Sequence, residues 1–133
     1  MRTKPLALLV DDEEVFLEIA SVRLNAAGFE TIFATNFHDA IEKAENYQPD
    51  IVITDIYMPP NPSGWELASA LRENPKTRNI KIAFFSSLRD PWLDVKKMEK
   101  KKILRELGNV TFLNKIDGAE NISTDVAALL QKS

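Results

Sequence analysis

Three carboxylates define the chemistry open to this chain. Asp11 and Asp12 follow the apolar run Leu6-Ala7-Leu8-Leu9-Val10, and Asp55 follows a second run, Ile51-Val52-Ile53-Thr54. If both runs are buried strands lying side by side, their ends bring the three acids into one pocket. Like charges that close repel, so such a cluster persists only when protonated or neutralised by a cation. The sequence has no cysteine and one histidine, His38. That leaves oxygen ligands and a hard divalent ion, with Mg²⁺ the first candidate. Two further apolar stretches end on groups that can donate hydrogen bonds, Ser86-Ser87 and Asn114-Lys115.

Positioning these groups at one place requires a regular scaffold, and the hydrophobic pattern supplies one. Residues 5–10 form a continuous apolar run of the fully buried kind. Val15, Phe16, Ile19, Ala20 and Leu24 then recur at helical spacing, and Gly28 suits the position just past a helix end. Residues 30–34 read as a second, weaker strand. Asn36 reads as the N-cap of a helix with Phe37, Ala40, Ile41, Ala44 and Tyr47 as its apolar stripe; Pro49 ends it, and residues 51–54 form the third strand. The stretch Met58-Pro59-Pro60-Asn61-Pro62-Ser63-Gly64 must be a loop. Trp65, Ala68 and Leu71 open a helix that stops near Asn74-Pro75. Residues 80–85 and 110–113 are the fourth and fifth strands. Between them Asp90-Pro91 reads as an N-cap followed by proline at the first helical position, with Gly108 as the stop. Ser123 or Thr124 caps a last helix carrying Val126, Leu129 and Leu130.

This alternation is a (βα)₅ pattern, which calls for an α/β fold: a doubly wound, parallel five-stranded sheet with helices on both faces. Right-handed crossovers restrict the topology, and ligands in such sheets bind at the carboxyl ends of the strands. Asp11, Asp12, Asp55, Ser86, Ser87, Asn114 and Lys115 all fall on that edge. At 133 residues the chain is expected to form one domain. Its 44% hydrophobic and 28% charged residues are ordinary for a soluble globular protein. A net charge of −3 argues against a general nucleic-acid binder. The absence of cysteine excludes disulfides, thiolate catalysis and sulfur-ligated metals, and fits a reducing cytoplasm. No apolar run approaches transmembrane length, and the opening residues 1–5 lead into a strand and not a signal peptide. A soluble, cytoplasmic protein with no membrane partner is expected.

The residues Leu9-Val10-Asp11-Asp12, Asp55-Ile56-Tyr57-Met58-Pro59 followed by Gly64, Phe84-Phe85-Ser86-Ser87 and Phe112-Leu113-Asn114-Lys115 together resemble the response-regulator receiver domains of two-component signalling. The match runs in order through the whole chain. The resemblance implies a flavodoxin-like strand order, 2-1-3-4-5, over a single receiver domain, residues 1–133, with no output domain. It implies that Asp55 is the phosphoacceptor, taking its phosphoryl group from a histidine kinase or a histidine phosphotransfer protein. Mg²⁺ would be held by Asp12 and Asp55, with Asp11 acting through water and the Tyr57 carbonyl adding a ligand. Lys115 would pair with phosphoryl oxygens and Ser86 would donate its hydroxyl to another. Ser86 and Phe112 would form the conformational switch, and Tyr57 and Leu88 would flank the path of the hydrolytic water. Output would pass to a downstream protein through the face of helix 4, strand 5 and helix 5, without direct nucleic-acid binding, from a monomer or weak dimer. The protein would be a regulator and not an enzyme, catalysing only its own phosphoryl acceptance and loss.

Plainer readings of the same residues stay open at this point. Asp11 could cap the first helix, Asp55 could be a turn residue, Lys115 a surface lysine, Ser86 a satisfied loop hydroxyl and Phe112 plain core. His38 sits at a helix start away from the site edge. The family's usual proline after the lysine is replaced by Ile116. A cis bond there would cost about 2.5–4 kcal/mol, so the Lys115-Ile116 bond is trans or deliberately strained. Lys96, Lys97, Lys100, Lys101, Lys102 and Arg105 form a basic run that is either a solvated helix face, with Trp92, Val95 and Leu107 turned inward, or a docking surface for an acidic partner. A degenerate receiver working as a phosphorylation-independent binding module is the alternative function. A haloacid-dehalogenase-like hydrolase would need an acid where Tyr57 stands, and there is no glycine-rich phosphate loop for a nucleotide.

Overall fold

The computed structural model describes residues 3–58, 60, 62–86, 97–108, 110–115 and 120–131. Strands and helices alternate: β1 Leu6–Val10, α1 Glu14–Ala26, β2 Glu30–Ala34, α2 Phe37–Tyr47, β3 Ile51–Asp55, α3 Gly64–Glu73, β4 Lys81–Ser86, α4 Lys97–Leu107, β5 Phe112–Asn114 and α5 Ile122–Gln131. The five strands make one sheet in the order β2-β1-β3-β4-β5, and every pairing is parallel. The predicted fold class and strand order are therefore those observed.

Strand periodicity explains the two-faced core. Ala7 and Leu9 on β1, Ile51 and Ile53 on β3, and Ala83 and Phe85 on β4 point to one face, where α1 and α5 supply Phe16, Leu17, Ala20, Leu24, Ile122 and Val126. Leu8, Val10 and Val52 point to the other, against Ala40 and Ala44 of α2 and Leu67 and Leu71 of α3. Burial of β1 on both faces is why it reads as an unbroken apolar run and not as an alternating one. Register then fixes the functional edge: Val10 pairs with Thr54, so the next residues, Asp11 and Asp55, emerge side by side.

Local signals set the helix ends. The Asn36 side chain accepts from Asp39 N–H at 2.8 Å, as an N-cap should. Ser63 and Glu66 form a reciprocal capping box at the start of α3. Gly28 and Gly108 adopt positive φ (94° and 73°) just past α1 and α4, where an L side chain would be strained.

Several expectations are corrected. In α1 the buried set is Phe16, Leu17, Ala20, Ser21 and Leu24, whereas Val15 and Ile19 are exposed. Apolar residues surround most of this helix, so spacing alone does not select a face; contact with β1, β4 and α5 does, with Phe16 meeting Phe85 edge-on at 4.8 Å. Tyr47 is exposed, leaving Ala40 and Ala44 as the buried residues of α2. β5 begins two residues later than residue 110 and pairs Phe84 with Phe112. α5 starts at Ile122, ahead of the expected caps Ser123 and Thr124, because the Asn121 carbonyl already accepts from Asp125 N–H. The expected cap Asp90-Pro91, as well as Trp92, Val95, Lys96, Ser87, Leu88, Pro59, Asn61 and Ile116, lie outside the described residues. No helix among the described residues is long and apolar enough to cross a membrane.

Gly64 matters for the edge itself. Its N–H donates to Ile56 O at 2.7 Å, and a Cβ there would fall well inside contact distance of the Asp55 carbonyl oxygen. Backbone cannot step aside as a flexible side chain could. Gly64→Ala is expected to cost about 1–3 kcal/mol by overpacking, read as a lower urea midpoint at unchanged slope.

Candidate functional site

β1 delivers Asp11 in a fully buried position, with 0% of its surface exposed. Asp11 Oδ1 accepts from Glu13 N–H at 2.9 Å, a side-chain turn that steers the chain into α1. Its other oxygen, Oδ2, is buried without an aligned hydrogen bond and lies 2.8 Å from the Lys115 ammonium. Asp11 therefore both starts the turn into α1 and faces the pocket. β3 delivers Asp55, half-buried, with Oδ1 accepting from Ile56 N–H at 2.9 Å. The buried Thr54 hydroxyl donates to the Asp55 carbonyl at 2.9 Å and holds the strand end. Asp12 is exposed beside them. One carboxylate oxygen from each of Asp11, Asp12 and Asp55 lies within 4.8 Å of the others.

Lys115 closes the opposite wall. Its N–H donates to Ser86 O at 2.9 Å, continuing the β4–β5 ladder past Asn114. The side chain, 11% exposed, runs back to Asp11 at 2.8 Å, Glu13 at 2.9 Å and Asp55 at 3.4 Å. Its ammonium stands 4.9 Å from the centre of the Phe16 ring. Ser86 is buried at the end of β4. Phe112, half-buried, joins Trp65 and Phe84 in an aromatic cluster with centroid distances of 4.5–6.1 Å. Tyr57 is exposed and lines a groove between α3 and α4 with Trp65 and Ile103. His38 lies on the α2 surface, 3.9 Å from Glu42.

Glu13 and Phe16 are the site residues that sequence reasoning missed. Their contact with Lys115 joins positions about a hundred apart in the chain, and no local pattern announces it. The run Asp11-Asp12-Glu13-Glu14 was the available signal for Glu13.

The electrostatics follow from three carboxylates, Asp11, Glu13 and Asp55, sharing one ammonium, with Asp12 beside them. Burial pushes the Asp11 carboxyl up to about 6, against the pull of Lys115 and the Glu13 N–H, and the charge of Asp55 adds to the rise. Burial also raises Asp55, partly offset by Lys115 and the Ile56 N–H, with Asp12 adding to the rise. Burial opposes the Lys115 charge, yet Asp11, Glu13 and Asp55 outweigh it and hold the ammonium above the ordinary lysine range. The shifts agree: the lysine has several partners, and each acid has only a share of one. Such a pocket lacks positive charge. All-oxygen donors, a buried oxygen without an aligned donor and excess negative charge fit a hard divalent cation such as Mg²⁺, which Asp11, Asp12 and Asp55 could hold.

Comparison with known proteins places this geometry. The family described as response regulator receiver domain matches residues 7–126. The alkaline phosphatase synthesis transcriptional regulatory protein PhoP of Bacillus subtilis is 30% identical over 127 residues, covering 95% of this chain and 48% of that protein. The polar-differentiation response regulator DivK of Brucella anthropi is 29% identical over 75 residues, covering 56% of this chain and 60% of its own. The matched region thus spans about half the length of these relatives. Among solved structures, the chemotaxis response regulator CheY4 of Vibrio cholerae superimposes with a TM-score of 0.78 at 25% identity, over 96% of this chain and 99% of the other. With the family profile covering nearly the whole fold, the chain belongs to the response regulator receiver domains of two-component signalling.

Proposed function

We propose that this receiver accepts a phosphoryl group on Asp55 from a phosphohistidine of a histidine kinase or phosphotransfer protein, and that the added charge switches its affinity for a downstream protein. One observation carries the reading: Asp11, Asp12 and Asp55 converge from two adjacent strands with Lys115 across from them. Asp55 attacks phosphorus as the bond to the donor imidazole nitrogen breaks. Mg²⁺, when held by Asp12 and Asp55 with Asp11 and the Tyr57 carbonyl, supplies the charge neutralisation that lets a dianion approach a carboxylate. Lys115 gives up part of its carboxylate contacts to pair with phosphoryl oxygens, and Ser86 donates its hydroxyl to another. Movement of Ser86 would draw Phe112 inward and alter the surface of α4, β5 and α5. On that surface α4 exposes Lys101, Lys102 and Arg105 around Met98, which suits an acidic protein partner better than a nucleic acid. A cytoplasmic location belongs to the same reading.

Incubation with a small-molecule phosphodonor and Mg²⁺, followed by peptide mapping, should place one adduct, labile to base and to hydroxylamine, on Asp55. Labelling of Asp55→Asn to the parent level would overturn the assignment.

Tyr57 and Leu88 are proposed to shield the aspartyl phosphate from water; Leu88 lies outside the described residues. Tyr57→Asn is expected to speed phosphoryl loss severalfold in a chase after donor removal. An unchanged half-life would dismiss the shielding role.

A further inference from the structure

We infer that the groove between α3 and α4 is a docking site for a basic amphipathic helix of another protein. The helix would lay its apolar stripe on Trp65 and set arginine or lysine against glutamates on both walls. The groove has a volume of about 630 Å³. Its apolar lining is Trp65, Ala70 and the buried Ile103, with Tyr57, half of whose surface is exposed, beside them. Tyrosine and tryptophan presented together at an open groove are the residue types that anchor protein contacts. The Ser69 hydroxyl donates to Glu106 at 2.7 Å and ties α3 to α4, so the groove is formed before any partner arrives.

Charge and spacing identify the occupant. Glu66 and Glu73 stand seven residues apart on the α3 wall, and Glu99 and Glu106 stand seven apart on the α4 wall. Each wall therefore presents two carboxylates about 10 Å apart along its helix. Lys102 is the only cation in the lining. Glu73 and Glu99 have no ion-pair partner among the described residues. A helix repeats its faces at nearly the same seven-residue interval. Cations at that spacing on both flanks of an apolar stripe would meet all four acids. An acidic segment or a nucleic-acid phosphate would be repelled by them. The exposed Lys101 and Arg105 lie outside this lining, so the two sides of α4 select partners of opposite charge. The inference is independent of phosphoryl transfer.

The test uses the full chain and a synthetic peptide of heptads with leucine at a and d, arginine at e and g, and alanine elsewhere. Its arginines repel one another in any self-paired coil, which keeps the peptide available. Calorimetry should give a dissociation constant on the order of 10–100 µM, and the peptide should shift the Trp65 emission in a Trp92→Phe background. Glu73→Lys with Glu99→Lys should weaken binding about tenfold. Glu30→Lys with Glu42→Lys makes the same charge change at exposed positions near the far edge of the sheet, and should weaken it less than about twofold. A peptide with glutamate in place of every arginine should not bind. Equal weakening by the two double variants, equal binding of the glutamate peptide, or no binding of the arginine peptide at millimolar concentration would each overturn the inference. If the chain alone dimerises in sedimentation equilibrium and Glu73→Lys with Glu99→Lys abolishes the dimer, the occupant is the basic side of α4 in a second copy, and the assignment to another protein falls.

Discussion

Lys115→Ala is expected to destabilise the metal-free protein by about 3 kcal/mol near neutral pH, as breaking a buried ion pair does when the opposite charges stay behind. The lysine touches three carboxylates and is 11% exposed. Its removal leaves Asp11 and Asp55 without a cation. Folding holds the Lys115 pKa above its ordinary value, so its contribution is full at neutral pH and is lost only as pH rises through the folded value in strong alkali. The penalty of the variant should shrink as pH falls, because Asp11, raised further once Lys115 no longer pulls it down, protonates. Mg²⁺ should also shrink it by supplying positive charge to the same acids. Urea unfolding with chelator, then with Mg²⁺, reads both effects; a loss insensitive to pH and metal would mean that Lys115 acts through packing alone.

Asp11→Asn is expected to have the opposite sign. A carboxyl pushed from 3.8 to about 6 costs about 3 kcal/mol to keep ionised in the fold. Because the folded value is raised, the favourable contribution of Asp11 is complete below pH 3.8 and disappears as pH climbs through about 6. Asparagine resembles the protonated acid and can still accept from the Glu13 N–H. The metal-free variant should therefore exceed the parent by about 2–3 kcal/mol at neutral pH, with the advantage vanishing in acid. It should also lose most of the stabilisation that Mg²⁺ confers on the parent. Equal stability of the two proteins across pH would show that the burial cost of Asp11 has been overstated.

These opposite signs describe a site strained by excess negative charge, and much of it was legible in the sequence. Asp11, Asp12 and Asp55 could be placed because each follows a short run too apolar for anything but a buried strand, and parallel strands present their ends on one edge. The same logic located Ser86 and Lys115. The exposed face of α1 was not legible: Val15 and Ile19 are as apolar as Phe16 and Leu17, and the choice between them depends on Phe85 and on α5, distant in sequence. Glu13 and Phe16 escaped for a related reason, since their importance comes from Lys115 arriving from β5. The Ser63–Glu66 capping box, by contrast, was written locally and follows from spacing alone.

Amide NMR of the full chain, titrated first with Mg²⁺ and then with beryllofluoride as a phosphoryl mimic, tests the central claim most directly. Mg²⁺ should shift Asp11, Asp12 and Asp55, and beryllofluoride should extend the shifts to Ser86, Lys115 and Phe112, with no such extension in Asp55→Asn. Mg²⁺ shifts confined to the acids, with no response to beryllofluoride at Ser86 or Phe112, would contradict a phosphorylation-driven switch.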